Sequence, residues 1–232
     1  MSINDRLKNI QDRIEKIKLS NGIYQKTEII AVTKTHPLLT IKECYDCGVR
    51  SIGENKVQEA SEKFTPTLPT DLKKRFIGHL QTNKINKCIN LFDTIDSVDT
   101  VRLAKKISKR SNLLKKTTPV LLEINTTNEP QKQGFPLKQT EEILKCFELT
   151  GLAVQGLMTV GPRGQNEKLT RKSFNQLKRL FIDINRQRPD GYKKLTELSM
   201  GMSGDFDLAI QEGSTMVRLG TALFGGRKNN KE

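Results

Sequence analysis

Apolar residues Ile3, Leu7, Ile10, Ile14 and Ile17 recur at alternating steps of four and three, the spacing that gathers side chains on one face of an α-helix. Ser2 and Asp5 stand where a reciprocal capping pair closes a first turn, so residues 1–20 are predicted to form a leading helix lying against the body of the protein. Beyond it the pattern changes. Eight short apolar segments read as strands: EIIAVTK, RSIGEN, RFIGHL, FDTIDSV, PVLLEIN, AVQGLMTV, KKLTELSM and MVRLGTALF. Between them run helical patterns such as NKVQEASEKF, TVRLAKKISKR, LKQTEEILKCFEL and KLTRKSFNQLKRLFIDIN.

Strand followed by helix, repeated, implies parallel pairing, because a crossover helix is needed to bring each strand back beside its predecessor. Eight such units close most naturally as an α/β fold, a single (β/α)8 TIM-type barrel. A doubly wound open sheet is the alternative, but G-x-G-x-x-G does not follow the first strand. Residues 1–226 are therefore expected to form one domain, leading helix included, and RKNNKE at 227–232 a polar tail.

Composition narrows the setting. No apolar run is long enough to span a bilayer and the start has acidic residues but no apolar signal core, so a cytoplasmic protein with no membrane partner is expected. Four cysteines in such a chain do not make a disulfide framework. Cys44 and Cys47 form a C-x-x-C, yet with Leu39 and Ile41 they fit one face of a short helix ended by Gly48, and no second pair offers metal spacing. They read as core thiols, and no metal site is expected. The formal charge of +14 admits nucleic acid or headgroups through nonspecific attraction. The densest basic run, Lys105 to Arg110, alternates with Leu103 and Ile107 as a solvated helix face does. With no Trp and few aromatics to stack on bases, nucleic acid is not an expected partner.

A barrel builds its site at the C-terminal ends of its strands, and chemically unusual residues gather there. Lys34 ends EIIAVTK, Asn55 ends RSIGEN, His79 ends RFIGHL, Asn125 ends PVLLEIN, Met158 and Thr159 end QGLMT, Ser199 ends LTELS, and Arg218 precedes Gly220. A lysine carried by a buried strand is placed to offer free amine to an aldehyde, since desolvation disfavours the ammonium; a strand-end lysine reaching solvent fits the same segment. The loop SMGMSGD offers Ser199, Gly201, Ser203 and Gly204, and RLGTALFG offers Gly220 and Thr221. Loops after the last two strands are the usual phosphate seat of such barrels, although both can also be read as tight corner turns. Arg218 can only donate hydrogen bonds, so a pyridine nitrogen facing it would stay unprotonated and the ring would be a weak electron sink. An ion pair with Glu197 or Asp205 is the competing role.

The same residues carry a resemblance. AVTKTHP resembles AVSKTKP, IGENKVQEA resembles FGENYVQE, and FIGHLQTNK resembles HFIGHLQSNK; LLEINTTNEPQKQGF, GLMTVGP and LSMGMSGDFDLAIQEGSTMVRLGTALFG follow in order. These are motifs of the YggS/PROSC family of pyridoxal-phosphate homeostasis proteins, spanning most of residues 28–226. The resemblance implies a barrel similar to the N-terminal domain of alanine racemase, holding pyridoxal 5′-phosphate (PLP) as a covalent imine on Lys34. Asn55 would lie near the ring, Ser199, Gly220 and Thr221 would hold the phosphate, Arg218 would face the pyridine nitrogen, and His79 and Met158 would complete the cofactor-binding set.

The implied role is binding, carriage or buffering of PLP, with PLP-dependent apoenzymes as candidate recipients, no assigned catalytic residue, and a monomer expected. A PLP-dependent racemase is the first alternative. It would need a second proton donor opposite the lysine, and Tyr24, Tyr45 and Tyr192 all fall in early helices or polar loops. A basic-surface module binding RNA or protein is the second. The chain departs from the family in having His36 where a second lysine is usual; His36 is read as a solvent-facing loop residue, and Lys132, which matches a lysine usual in the family, is expected to stand available.

Overall fold

The structure, a computed structural model, describes residues 1–127, 129–164 and 166–226. The polar tail expected at 227–232 lies outside the described residues. In chain order the elements are α1 (Ile3–Ser20), β1 (Glu28–Val32), α2 (Leu38–Asp46), β2 (Ser51–Glu54), α3 (Val57–Lys63), β3 (Lys73–Phe76), a 3-10 turn (Thr82–Lys84), α4 (Ile85–Leu91), β4 (Thr94–Val98), α5 (Val101–Leu113), β5 (Thr118–Asn125), β6 (Phe135–Pro136), α6 (Thr140–Lys145), β7 (Leu152–Met158), α7 (Glu167–Gln187), β8 (Glu197–Met202), α8 (Phe206–Gln211), β9 (Met216–Leu219) and α9 (Thr221–Phe224).

Strands β1 to β5 pair in sequence, β5 pairs with β7, then β8 and β9 follow, and β9 returns to β1. Every pairing is parallel, so eight strands close a barrel and the ends of all eight share one rim. The short β6 lies outside this ring against the end of β5. Its return is tight: a Cβ on Gly134, whose φ is +115°, would lie 2.7 Å from the Asn125 nitrogen, so only glycine passes there.

Alternation along the strands sorts the core. Outward residues such as Ile95, Leu122, Leu157 and Leu198 pack under α3 to α7, while Ala31, Ile52, Val217 and Leu219 pack under α1, α2, α8 and α9. Ile30, Leu121, Met158 and Met216 fill the inside. The leading helix forms as its pattern predicts. Ser2 Oγ accepts from Asp5 N–H at 3.1 Å, Ser2 N–H donates back to Asp5 at 3.0 Å, and Leu7, Ile10 and Ile14 are buried against α8 and α9.

The basic run on α5 is a solvated face, with Leu103, Ala104, Ile107, Ser108 and Ser111 turned to the core. In α2 only part of the expected face is buried: Ile41 and Cys44 are inside, whereas Leu39 is 65% exposed. Two strand boundaries fall earlier than the apolar pattern suggests. β1 stops at Val32, and the segment MVRLGTALF is β9 followed, after Gly220, by α9.

Below the apolar waist lies a charged layer that pattern reading passed over. Arg75 is fully buried; its guanidinium reaches Asp96 at 3.1 Å, Glu197 at 3.0 Å, Glu28 at 3.3 Å and Ser51 Oγ at 3.2 Å. Asp96 is equally buried, and burial pushes its carboxyl up while Arg75 pulls it back. Removing one member of such a set strands the other charge in low dielectric. Arg75→Met is therefore expected to lower unfolding free energy by about 3–5 kcal/mol in urea titrations. Adding Asp96→Asn should recover part of that loss; a single variant as stable as the parent would show that the cluster carries no such role.

Candidate functional site

The rim at the C-terminal ends of the strands is where the sequence candidates meet. Thr33 and Lys34 follow β1: Thr33 N–H donates to the Gly53 carbonyl at 3.1 Å, and His36 N–H turns back to the Thr33 carbonyl at 3.0 Å. Lys34 thus sits in the turn at the rim, two residues past the strand, half-buried. Among the described residues its amine makes no ion pair or hydrogen bond. His36 is not the solvent-facing loop residue expected; its ring is half-buried and packs on Phe224 with centroids 4.3 Å apart.

Asn55 follows β2 and is pressed against the end of β3. A Cβ on Gly78 would lie 2.2 Å from the Asn55 carbonyl oxygen, which makes glycine obligatory in FIGHL. His79 lies exposed, its side chain 57% accessible with Nδ1 3.4 Å from Asp99. Met158 lies lower than expected of a rim residue, in the buried floor with Ile30 and Met216.

Arg218 links the far side. It is 5% exposed, and it donates through Nη1 to Ser199 Oγ and through Nη2 to the Thr159 carbonyl, both at 2.7 Å. Neither proposed ion-pair partner takes it in a direct contact. Glu197 is bound to Arg75 and Lys73 at the other end of the barrel, and Asp205 acts on Arg218 only through its field. Burial pulls the guanidinium below its ordinary value, with Glu123, Asp96 and Asp205 pulling back. Glu123, on the same strand face as Leu121, was not singled out in the sequence, although an acid inside PVLLEIN is signal enough. Burial, reinforced by the Asp99 charge and opposed by Arg218, pushes its carboxyl up to about 7.

The two loops read as an anion seat lie side by side at the rim, joined by Ser203. Ser199 is fully buried and faces Arg218. Ser203 instead reaches the start of α9, its Oγ accepting from the N–H groups of Gly220 at 3.2 Å and Ala222 at 3.0 Å. Thr221 lies between these two residues, and Gly204 has open space where a Cβ would stand. Beside these loops a cavity of about 790 Å3 opens between Glu123, Asn125, Lys132, Arg163, Met202 and Asp205. Asn125 shapes its wall, donating to the Glu129 carbonyl at 3.0 Å. Lys132 is not available as expected: it pairs with Glu129 at 2.6 Å and donates to the Gly161 carbonyl at 2.7 Å.

Among the described residues no group of three or more His, Cys, Asp or Glu is placed to hold a metal ion, and no helix is long and apolar enough to cross a membrane. Cys44 is buried and Cys47 half-buried, and burial pushes the Cys44 thiol up to about 12.

A closed parallel barrel with a lysine, a buried arginine and two joined loops on its rim defines a class, and comparison with known proteins agrees. The family described as alanine racemase, N-terminal domain, matches residues 6–228. The pyridoxal phosphate homeostasis protein of Aquifex aeolicus (strain VF5) is 37% identical over 98% of this chain and 100% of its own length, and that of Synechocystis sp. is 39% identical over 86% and 91%. PipY of Synechococcus elongatus PCC7942, solved with PLP bound, is 34% identical with a TM-score of 0.84, covering 97% of this chain and 100% of PipY. Alanine racemase of Clostridium difficile 630 shares the fold alone, at 17% identity and a TM-score of 0.78 over 97% of this chain and 58% of the racemase. The chain belongs to the alanine racemase N-terminal domain family and, within it, to the pyridoxal phosphate homeostasis proteins.

Glu123 gives the rim a pH signature. A carboxyl raised in the folded state contributes stability that is whole below its unfolded value and lost as pH rises through its folded one. Here that window runs from 4.5 to about 7. Across it the parent should lose on the order of 3 kcal/mol relative to Glu123→Gln in urea unfolding. Parallel pH profiles for the two proteins would assign the titration elsewhere.

Proposed function

We propose that this protein binds PLP through an imine linkage to Lys34 and works in the cytoplasm as a PLP-homeostasis protein that holds, buffers or hands on the cofactor to PLP-dependent apoenzymes. The observation that carries the proposal is Lys34 itself: an amine on the barrel rim without a counterion among the described residues, in a chain 34% identical to a protein solved with PLP bound.

The donor set fits the cofactor. PLP supplies, when bound, an aldehyde, an anionic phosphate and a pyridine ring. Lys34 would hold the aldehyde end, its Nζ being the group that would replace the aldehyde oxygen, which would leave as water. Ser203 and Thr221 are assigned to the phosphate, their hydroxyls being donors suited to an anion, and Gly220, whose N–H is donated to Ser203 Oγ, to shaping the turn between them. Ser199 is assigned to holding Arg218, and Arg218 to the ring nitrogen. Two of its N–H directions are already committed, and those left can only donate, which would keep that nitrogen unprotonated and leave the ring a weaker electron sink. Asn55 and Met158 border the ring, and His79 stands at the outer edge.

Racemisation needs a base opposite the lysine, and the tyrosines are elsewhere. Tyr24 is 95% exposed, Tyr45 donates to Asp71 at 2.6 Å on α2, and Tyr192 packs edge-on to Phe147. Freshly purified protein should show a visible imine band, and Lys34→Ala should abolish the band and weaken PLP uptake at least about tenfold, 1.4 kcal/mol or more. Chiral chromatography of alanine and serine should show no lysine-dependent interconversion at enzymatic rates. Uptake unchanged by Lys34→Ala would refute the linkage, and rapid racemisation would refute the carrier role.

A further inference from the structure

Both neighbours of Lys34 are tied to one cluster outside the barrel wall. Thr33 is fully buried; its Oγ1 donates to Glu54 Oε1 at 2.7 Å and its carbonyl accepts from Lys63 Nζ at 2.9 Å. On the other side, Thr35 N–H donates to Glu59 Oε1. Lys63, at the end of α3, joins the two ties: Nζ lies 3.0 Å from Glu54 Oε1 and 2.5 Å from Glu59 Oε1. An ammonium has three N–H groups, and here three acceptors take them, so Lys63 has none left for a ligand. Its side chain is 11% exposed and that of Glu54 fully buried.

The cluster holds a conformation that does not hold itself. Thr35 has φ +66°, the left-handed region that a β-branched residue enters only under constraint. Such a residue persists when its surroundings over-determine it, and the Glu59 acceptor and the Lys63 tie to Thr33 do so from both sides of Lys34. Glu54 Oε2 is buried without a partner, so burial pushes this carboxyl up, while Thr33 and Lys63 pull it down. Carrying an unpaired buried oxygen is a cost, and at this place it is offset by fixing the turn. Glu54 also directly precedes Asn55, so the same anchor sets the ends of both β1 and β2.

We infer that Glu54, Glu59 and Lys63 form a positioning cluster that aims the Lys34 amine into the barrel mouth from behind the wall. The inference rests on the assignment of PLP to Lys34. None of the three residues touches the cofactor in this scheme; they act through Thr33 and Thr35.

The test compares the full-length parent with Lys63→Met, Glu59→Ala and Glu59→Gln, the last of which keeps an oxygen acceptor for Thr35 N–H. In cofactor-free protein, amide exchange across residues 33–36 should quicken about tenfold or more in Lys63→Met and Glu59→Ala and return toward the parent in Glu59→Gln, with α5 amides unchanged. With PLP added, the first two variants should release it at least about tenfold faster than the parent. Should Lys63→Met fail to fold, the two Glu59 variants decide the matter, because Glu59 is the outer, partly exposed member. Parent-like exchange and release in Glu59→Ala overturn the inference while leaving the linkage intact. A parent that takes up no PLP on Lys34 instead overturns the function, and the cluster's purpose with it.

Discussion

Arg218 enters the top of a closed barrel with almost no exposure, and its guanidinium is held by one hydroxyl and one carbonyl, Ser199 and Thr159, neither of which carries a charge. A buried cation so held leaves positive potential in the mouth. Glu123, one of the acids whose charge acts on it, is itself pushed toward its neutral form by burial. A positive potential of this kind attracts an anionic, acceptor-bearing molecule, and the Ser203 hydroxyl, which accepts from the N–H groups of Gly220 and Ala222, ties the two neighbouring loops together beside it. Lys34 sits at this same rim with its amine uncommitted.

The layers beneath explain how the rim can stay in place whether or not something occupies it. Arg75 and its three carboxylates tie β1, β3, β4 and β8 together at the far end. Apolar Ile30, Leu121, Met158 and Met216 close the waist, and the polar top rests on them. A molecule that holds and releases a cofactor needs a site ordered before binding. Here the order comes from hydrogen bonds within the chain: Arg218 through Ser199, the Lys34 turn through Thr33 and Thr35, and the α9 start through Ser203.

Much of this was legible in the sequence. The Ser2 and Asp5 capping pair, the period of α1, the alternation of strand and helix and the clustering of Lys34, Asn55, Ser199 and Arg218 at strand ends all carry local or periodic signals. What escaped depends on three-dimensional closure. Periodicity shows no boundary where an apolar run passes from β9 into α9, so Gly220 marks a turn there but nothing in the pattern announces the short helix that follows it. Two serines four residues apart, Ser199 and Ser203, look equivalent until strand alternation turns one to the interior and the end of β8 carries the other to the start of α9. Arg75 ends a run of three basic residues on β3 and Glu123 is a single charge inside an apolar strand, and only a closed barrel brings Arg75 to acids from β1, β4 and β8 and sets Glu123 in the field of Arg218. Of the two partners of Lys132, Glu129 is only three residues away and within reach of sequence reading, whereas Gly161 is brought to it by the fold.

The decisive measurement is chemical and residue-specific: incubate the protein with PLP, reduce it with borohydride, digest it and weigh the peptides. A stable pyridoxyl-phosphate mass on the peptide containing Lys34, and a protein without it after Lys34→Ala, is the expected result. The mass found on a different lysine, or on none, would contradict the assignment of the cofactor to this rim.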